Sequence, residues 1–383
     1  MSRPNTFARL GAVAAVAALV LSACGTTEDK TPSAGTSNGG PACGEKLAFM
    51  GALTGPAAGL GIAAVNGAEL AVDQYNEKHA DCKVEFVKSD SQSDPKQAPG
   101  VAKSLIDDDA VIGVVGPLFS GESEAADPLF NEAGMPLITA SATKPTLSEQ
   151  GWTVFHRILG NDETQGPQVA KVLTDIAKAT KPYTISDDSA YGQFLTGATD
   201  SALGDALVGH DKIATGQTDF QATVTKVLDA DADAVFFGGY YPEGELLIKQ
   251  LRAGGWKGTF VVPDGVKDNE YIKVAGAAAE GTLVTCPCVP GDTIAAFADA
   301  YRAKFNEDPG TYGPEAYDAA NVFLAGIESG INERSAMNDF VTNYDGEGVS
   351  KHVAFDEHGE SAEIPIWAYK VEDGKYVALK QLA

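Results

Sequence analysis

The chain has 383 residues, of which 44% are hydrophobic and 21% charged, and this composition predicts a globular protein of two domains, or at most three. Lys and Arg total 28 against 53 Asp and Glu, so the formal net charge at pH 7 is −25. Such an acidic chain excludes nucleic acid as a partner and argues against adsorption to anionic lipid headgroups, because both require a basic surface.

The N-terminus has the pattern of an export signal. Arg3 and Arg9 give the first residues the positive charge of a signal-peptide n-region. The apolar run that follows at 10–21 is too short to span a bilayer comfortably. The run ends in Leu-Ser-Ala-Cys at 21–24, which resembles the lipobox of bacterial lipoproteins, so Cys24 is expected to be diacylated after removal of residues 1–23. A plain signal peptide with an incidental cysteine is the alternative. Residues 24–42 are small and polar and predict a flexible tether.

Four further cysteines remain, and an even number outside the cytoplasm favours disulfides, with three possible connectivities. Cys43 and Cys82 each lie just ahead of a strand-like apolar run, and they would be side by side if those strands are parallel neighbours. This favours a Cys43–Cys82 bond and leaves Cys286 and Cys288 to pair in a small ring or to stay reduced. A metal site at Cys-Pro-Cys would need other ligands, and none of the five histidines is nearby in sequence.

From residue 44 onward, short β-rich runs alternate with helical segments. The first unit has predicted strands at 47–50, 84–89, 111–115 and 136–139, with helices at 62–78, 97–107 and after 121. The second has helices at 165–179, 191–204 and 243–253 between strands at 183–186, 234–237, 259–262 and 282–285. Helices return at 294–304 and 317–329, and a hairpin around an Asp-Gly turn closes the chain at 366–371 and 376–379.

This alternation predicts an α/β fold with two doubly wound parallel-sheet lobes, between which the chain crosses more than once. The N-terminal lobe is expected to comprise residues 43–160 plus 288–364. The C-terminal lobe is expected to comprise residues 161–287 plus 365–383.

Ligands of open parallel sheets bind beyond the carboxyl ends of the strands, so the loops at those ends carry the functional information. Here the loops hold hydroxyls, glycines, tyrosines and one forward-placed carboxylate, Asp264. Backbone N–H groups and hydroxyls suit a carboxylate, whereas a carboxylate side chain suits an ammonium. The combination predicts a site for a zwitterion. The loops are at 51–61, 116–121, 139–143, 187–192, 238–243 and 263–266.

Taken together, the lipobox, the tether and the order of several short motifs resemble the leucine/isoleucine/valine-binding proteins of ABC importers, which are type I periplasmic binding proteins. The resemblance spans roughly residues 45–380, nearly the whole mature chain. It implies a monomer without cofactor or metal that captures an amino acid by lobe closure about strands near Gly160 and Pro287. It also implies delivery to importer permease subunits, with the lipid anchor as the sole contact with the membrane. The motifs are Gly-Ala-Leu-Thr-Gly-Pro at 51–56, Asp-Pro-Lys-Gln at 94–97, Ser-Ala-Thr at 141–143, Tyr-Gly at 191–192 and Gly-Gly-Tyr-Tyr-Pro-Glu at 238–243.

The same resemblance assigns roles to residues around the α-centre of the ligand. Ser120 matches the serine that binds the ligand carboxylate, and Thr143 matches the threonine that reaches both ends of the α-centre. Ser141 stands where the family offers a backbone carbonyl to the ammonium, and Ala142 lies between them. Asp264 stands where leucine-binding relatives have glutamate as counter-ion of the ammonium, and it is one methylene shorter.

The remaining assignments concern the second lobe and the side-chain pocket. Tyr191 and Tyr240 match two tyrosines that close over the ligand. Leu60, Leu118 and Phe119 offer no charge to the ligand side chain, so a neutral aliphatic side chain is expected. The family has an aromatic at the position of Leu60 and a small cysteine at that of Phe119, and these two changes have opposite effects on pocket size. Tyr312 matches an aromatic that lines the pocket.

Each assignment has a simpler alternative. Ser120 and Thr143 are also the residue types that cap helices, Asp264 precedes a glycine as turn residues do, and one of Tyr240 and Tyr241 is expected only to pack. No Gly-x-Ser-x-Gly, His-Glu-x-x-His or Walker A motif is present, so an enzyme is not expected. A binding protein for another amino acid or a small amide that feeds a signalling partner is the alternative function.

Overall fold

The computed structural model describes residues 40–383. The predicted signal peptide, the expected lipidation site at Cys24 and most of the predicted tether lie outside the described residues. Within residues 40–383, no helix has both the length and the apolar character needed to cross a membrane.

The first five strands form a parallel sheet in the order β2-β1-β3-β4-β5. All five residues of its central strand are buried, as expected for a strand covered by helices on both faces. The strands are β1 (Lys46–Gly51), β2 (Glu85–Asp90), β3 (Val111–Val115), β4 (Leu137–Thr139) and β5 (Phe155–Arg157).

The next five strands are the parallel part of a second sheet: β6 (Pro182–Ser186), β7 (Gly209–Lys212), β8 (Ala234–Gly238), β9 (Thr259–Pro263) and β10 (Leu283–Cys286). Two short strands, β11 (Asp345–Glu347) and β12 (His352–Ala354), pair only with each other. The C-terminal hairpin, β13 (Trp367–Glu372) and β14 (Lys375–Gln381), then joins the second sheet antiparallel to β10. This sheet is therefore mixed, with the order β14-β13-β10-β9-β8-β6-β7, whereas we expected a purely parallel one.

Helices cover both sheets. Those of the first sheet pack α1 against α10 so closely that a Cβ on Gly67 would lie 2.0 Å from the carbonyl oxygen of Gly313, and only glycine fits there. The helices are α1 (Ala58–Lys78), α2 (Ala98–Ile106), α3 (Ser120–Glu132), α4 (Asp162–Lys171), α5 (Ala190–Leu203), α6 (Gln221–Asp229), α7 (Tyr241–Ala253), α8 (Asn269–Ala275), α9 (Ala295–Phe305), α10 (Gly313–Glu328) and α11 (Arg334–Thr342).

We call the first sheet with α1–α3 and α9–α11 the first lobe, and the second sheet with α4–α8 the second lobe. The residue limits predicted for the two domains stay a prediction. Several elements were not predicted, among them β5, β7, α6 and α11. β5 has only three residues, and β7 is a polar edge strand, so neither has a clear hydrophobic period.

Three chain segments connect the lobes, following β5, following β10 and preceding β13. Gly160, Pro287 and Ile364 bring these segments together, because a Cβ on Gly160 would lie 2.3 Å from Ile364 Cγ2 and 3.5 Å from Pro287 Cβ. The connections are thus adjacent rather than scattered over the lobe surfaces.

The predicted Cys43–Cys82 pair is bonded, and so is the pair whose state the sequence left open. Cys43 and Cys82 form a disulfide with a Cα–Cα distance of 5.0 Å, and they precede the parallel neighbours β1 and β2 as expected. The bond closes a loop between cysteines 39 positions apart in the sequence. Such a closure stabilises a fold by roughly 3–4 kcal/mol, because it reduces the conformational entropy of the unfolded chain. Cys286 and Cys288 bond to each other in the second connecting segment, which decides between the ring and the reduced form.

Candidate ligand-binding site

The carboxyl ends of the strands of both sheets face each other, and most predicted site residues lie in the loops that follow them or in the first turn of the next helix. Tyr312 is the exception, since it lies between α9 and α10. In the first lobe these loops follow β3 and β4 and lead to Ser120 and Thr143. In the second lobe they follow β6, β8 and β9 and lead to Tyr191, Tyr240 and Asp264. The loops that the strand-end rule singled out therefore lie together in the structure, and the ligand site proposed there stays a prediction.

The part of the site from the first lobe is built from hydroxyls and backbone groups. Ser120 is the first residue of α3, and its Oγ accepts the N–H of Lys144 at 3.2 Å. The N–H of Ala142 donates to Thr139 Oγ1 at 3.0 Å, and this hydroxyl donates to Pro117 O at 2.7 Å. These bonds tie the loop before α3 to the segment 141–144, which we call the Thr143 loop. Thr143 is fully buried, and its hydroxyl has no hydrogen bond of standard geometry among the described residues, but it lies close enough to the Asp162 carboxyl to lower the pKa of that group.

Asp264 is the centre of the part from the second lobe. Its carboxylate accepts Tyr191 Oη at 3.0 Å and Gln165 Nε2 at 2.6 Å on one oxygen, and Tyr312 Oη at 2.5 Å on the other. Tyr312 comes from the first lobe, so this last bond joins the two lobes. Asp264 is 1% exposed.

Aromatic rings enclose one side of the carboxylate. Tyr240 lies between Tyr191 and Phe119, with ring centroids 5.3 Å and 4.9 Å away. Gly265 makes room for this arrangement, because a Cβ there would lie 2.8 Å from Tyr191 Cε1 and 3.3 Å from Tyr240 Cδ1. Tyr240 and Phe119 also line a cavity of 510 Å³ between the lobes.

The electrostatics of the site favour a cation. Burial raises the pKa of Asp264, and its three hydrogen-bond donors lower it again in part. Burial, with a smaller contribution from the nearby Asp264, raises the pKa of Asp162 to about 8 against the lowering effect of the Thr143 hydroxyl. Two buried carboxylates within electrostatic range of each other gain when a positive charge lies between them.

Asp162 and Gln165 were missed by the sequence analysis. Asp162 opens α4, and its N–H donates to Thr143 O at 2.9 Å. Its carboxyl has no hydrogen bond of standard geometry among residues 40–383, but the Thr143 hydroxyl lies close enough to lower its pKa. Gln165 orients Asp264 and is itself held by the Thr285 hydroxyl at 3.1 Å. The acidic run after Asn161 was the available clue, but the predicted helix began only at Gln165.

The other predicted residues occupy varied surroundings. Ser141 is close enough to Tyr312 for a hydrogen bond that lowers the pKa of the tyrosine hydroxyl, although burial raises that pKa by more. Ala142 and Leu118 are fully buried. Leu60 is also buried, and it follows Gly59, whose N–H donates across the cleft to Tyr241 Oη at 3.3 Å. Tyr241 thus has an interlobe contact of its own, although it was considered only as a packing residue.

Two α/β lobes, three adjacent connections and a polar site between facing strand ends define the class of type I periplasmic binding proteins. The sequence agrees: the chain belongs to the periplasmic binding protein family, whose sequence model matches residues 46–375. The resemblance inferred from the motifs is confirmed.

Characterised relatives are similar over most of their length. A Leu/Ile/Val-binding protein of Escherichia coli strain K12 is 34% identical over 297 residues, which are 75% of this chain and 79% of that protein. A leucine-, isoleucine-, valine-, threonine- and alanine-binding protein of Pseudomonas aeruginosa is 31% identical over 340 residues, 85% of this chain and 89% of that protein. These relatives are solute-binding proteins and not enzymes.

Solved structures show the same fold. The branched-chain amino acid transporter substrate-binding protein of Streptococcus pneumoniae, in complex with isoleucine, superposes with a TM-score of 0.83 at 28% identity and covers 88% of this chain and 99% of its own. A leucine-binding protein from Thermotoga maritima gives a TM-score of 0.79 at 25% identity, covering 88% and 98%. The predicted two-lobed fold class is thus confirmed.

Proposed function

We propose that this chain is an exported binding protein that captures an α-amino acid with a neutral aliphatic side chain and delivers it to the permease subunits of an ABC importer. Leucine, isoleucine and valine are the first candidates. The observation that carries the proposal is the buried Asp264 carboxylate, to which the other lobe presents the uncharged hydroxyl of Tyr312. The names of the relatives support the choice of branched-chain ligands.

The first lobe supplies the partners for a ligand carboxylate. Ser120 and the residues after it form the N-terminus of α3, where free backbone N–H groups and the helix dipole favour an anion. The Thr143 hydroxyl adds a donor, which lies beside the Asp162 carboxyl and has no hydrogen bond of standard geometry among the described residues. Both groups are neutral, so they donate to a ligand carboxylate without bringing a charge of their own.

The second lobe supplies the partner for the ligand ammonium. Asp264 is held within its own lobe by Tyr191 and Gln165, so its carboxylate keeps its place when the lobes open and a cation arrives. Asp162 is the second carboxylate, and an ammonium bound to both would relieve the repulsion between them. We therefore add Asp162 to the residues proposed from the sequence.

The ligand side chain is expected to meet Leu60, Leu118 and Phe119. All three are buried or nearly so, at 0%, 0% and 6% exposure. A charged side chain placed among them would lose its hydration without gaining a counter-ion, and this cost excludes lysine, arginine and glutamate as good ligands.

Lobe closure explains how both parts of the site reach one ligand. The lobes touch through Tyr312 and Asp264, through Gly59 and Tyr241, and through Lys267 Nζ, which donates to Thr311 Oγ1 at 3.3 Å. We propose that these bonds break when the lobes rotate apart about the three adjacent connections at Gly160, Pro287 and Ile364. Small-angle scattering should then give a smaller radius of gyration with ligand than without. An unchanged profile at saturation would refute closure.

The anchor is proposed at Cys24 on the basis of the lipobox. Mass spectrometry of the exported protein should find a diacylated N-terminal cysteine, and Cys24→Ala should move the protein from the membrane fraction to the medium or the periplasm. Equal membrane retention of that variant would contradict a lipid anchor.

Calorimetric titration of the wild type against all twenty amino acids tests the ligand. We expect tight binding of leucine, isoleucine or valine and at least about 100-fold weaker binding of lysine, arginine and glutamate, as the uncompensated burial of a charge implies. A chain that ignores every aliphatic amino acid would refute the proposal. Tight binding of a small amide or another amino acid instead would favour the alternative of a sensor with a different ligand.

A further inference from the structure

A single buried arginine lies behind the Thr143 loop. Arg157, the last residue of β5, has no exposed surface. Its Nη1 donates to Ala142 O at 3.0 Å and to Lys144 O at 2.8 Å, the carbonyl oxygens of the residues on either side of Thr143. Its other two nitrogens bind Glu360, Nε at 3.0 Å from Oε2 and Nη2 on Oε1.

These bonds determine where the Thr143 backbone points. A peptide unit is planar and trans, so the N–H of Thr143 is directed opposite to the Ala142 carbonyl that Arg157 holds. The next carbonyl, Thr143 O, accepts the N–H of Asp162, and the next N–H, that of Lys144, donates to Ser120 Oγ. Each peptide group around Thr143 is thereby fixed, and Arg157 is the partner of two of the three carbonyls.

The charge of Arg157 is balanced by Glu360, which lies 203 residues later in the segment that leads into the third interlobe connection. The backbone repeats this link, because the N–H of Arg157 donates to Gly359 O at 2.8 Å. The charge of Arg157 also acts on two fully buried carboxyls, Asp127 on α3 and Asp162 on α4. It lowers the pKa of each, against the larger rise that burial causes. The guanidinium of Arg157 thus interacts with carboxyls on both α3, which begins at Ser120, and α4, which begins at Asp162.

We propose that Arg157 is a positioning residue for ligand capture. It directs the N–H and the hydroxyl of Thr143 towards the ligand carboxylate, whereas Glu360 only neutralises the charge of Arg157. This inference rests on the proposed function, since it concerns the same site. It predicts that the two members of one ion pair have different effects. Losing Glu360 costs stability, whereas losing the arginine fork costs affinity for the carboxylate.

The experiment compares three variants with the wild type. Glu360→Gln keeps all donors to Ala142 and Lys144. Arg157→Lys keeps the charge but has one ammonium, which cannot reproduce the planar fork. Arg157→Gln combined with Glu360→Gln removes both charges together and leaves no unpaired charge in the core. Each variant is titrated with leucine and with leucinamide, whose neutral amide replaces the carboxylate, and the thermal midpoint is recorded.

Under the proposal, Glu360→Gln lowers the thermal midpoint and changes leucine affinity less than about threefold. Both arginine variants lose at least about thirtyfold for leucine, as expected for hydrogen bonds to a charged group, and less than about threefold for leucinamide. The ratios among leucine, isoleucine and valine stay unchanged, because the side-chain pocket is untouched. Equal losses for leucine and leucinamide, or full leucine affinity in Arg157→Lys, would overturn the positioning role.

A ligand-independent measurement separates this inference from the proposed function. Amide hydrogen exchange of Thr143 and Lys144 in the free protein should be faster in Arg157→Lys than in the wild type and in Glu360→Gln. A wild type that binds no branched-chain amino acid would refute the function but leave this result standing. Unchanged exchange in Arg157→Lys would refute the positioning role alone.

Discussion

The two parts of the proposed site are built from different materials. The first lobe presents Ser120 and Thr143, whose surrounding segments are held by hydrogen bonds to the backbone. None of the residues proposed from the sequence in this lobe is acidic. The second lobe presents Asp264, held by side chains from three separate elements. Asp162 lies at the border, since it opens the helix that follows the first connection.

The difference teaches how one cleft can distinguish the two ends of a zwitterion. Neutral donors at a helix N-terminus bind a carboxylate, and they leave no unpaired charge buried when the ligand is absent. An ammonium requires a buried anion, which is unpaired in the absence of ligand. The second lobe therefore carries the larger electrostatic cost in the absence of ligand and is expected to carry the larger affinity in its presence. The predictions below test that asymmetry, beginning with the largest effect.

Removing the charge of Asp264 should have the largest effect. Asp264→Asn is expected to weaken leucine binding by about 3–4 kcal/mol, several hundredfold, because the ligand ammonium then lacks its counter-ion. Ser120→Ala, the matched change in the first lobe, removes one hydroxyl and should cost only about 1–2 kcal/mol. Calorimetry with leucine measures both losses, and circular dichroism checks that both variants fold.

Asp264→Glu is the control for this comparison. It retains the charge and introduces the residue that the resemblance assigns to leucine-binding relatives, so it should retain most of the affinity. If Ser120→Ala were more damaging than Asp264→Asn, the asymmetry between the lobes would be reversed and Asp264 would be a structural turn residue.

The contact between Phe119 and Tyr240 gives the next effect. The two rings lie 4.9 Å apart and line the 510 Å³ cavity, so Phe119→Ala should open the side-chain end of the site towards that space. We expect leucine to bind more weakly and the ratio of phenylalanine to leucine affinity to rise at least about tenfold, the usual scale for changes in a hydrophobic pocket. Competition titrations measure this ratio. Phe119→Leu is the control and should change it less, while an unchanged ratio in Phe119→Ala would exclude Phe119 from the pocket.

The residues proposed for the site also differ in how far the sequence predicted them, in both lobes alike. Ser120, Thr143 and Asp264 lie at strand ends, where the rule for parallel sheets and a familiar motif order both apply. Arg157 gave no such clue, since it ends a three-residue strand and its partner is 203 residues away. Asp162 was assigned to a loop because the predicted helix began three residues late. Local patterns suggested the loop residues that we propose for the site, but not the residues that are proposed from tertiary contacts.

The same limit applies to the fold. Long apolar runs gave the central strands and the order of the two units, and the neighbouring starts of β1 and β2 gave the Cys43–Cys82 pair. The antiparallel addition of β13 to β10 depends on where the chain returns after its third crossing, which no local period encodes. The Asp373–Gly374 turn was nevertheless predictable, since both residues have positive φ as that hairpin type requires.

The smallest effect is a dependence of affinity on pH that comes from Asp162. Burial raises the pKa of Asp162 to about 8, so most of it is protonated at pH 7 in the free protein, and the ligand ammonium favours the ionised form. Binding should therefore release a proton, and leucine affinity should rise with pH. For a group with this pKa, the ionised fraction grows about fivefold between pH 7 and pH 8. Titrations in two buffers of different ionisation enthalpy give the number of protons released.

Asp162→Asn isolates this contribution from the other buried carboxyls, including Glu122 and Asp187, whose pKa values burial also raises to about 7. The folded protein holds the Asp162 proton above the ordinary pKa of 3.8, so this group lowers stability progressively as the pH rises from about 4 to about 8. The variant should consequently be more stable than the wild type at pH 8 without ligand, bind leucine more weakly there, and lose the fivefold rise in affinity. A variant with the same pH profile as the wild type would assign the proton to another group and leave Asp264 as the sole anion for the ammonium.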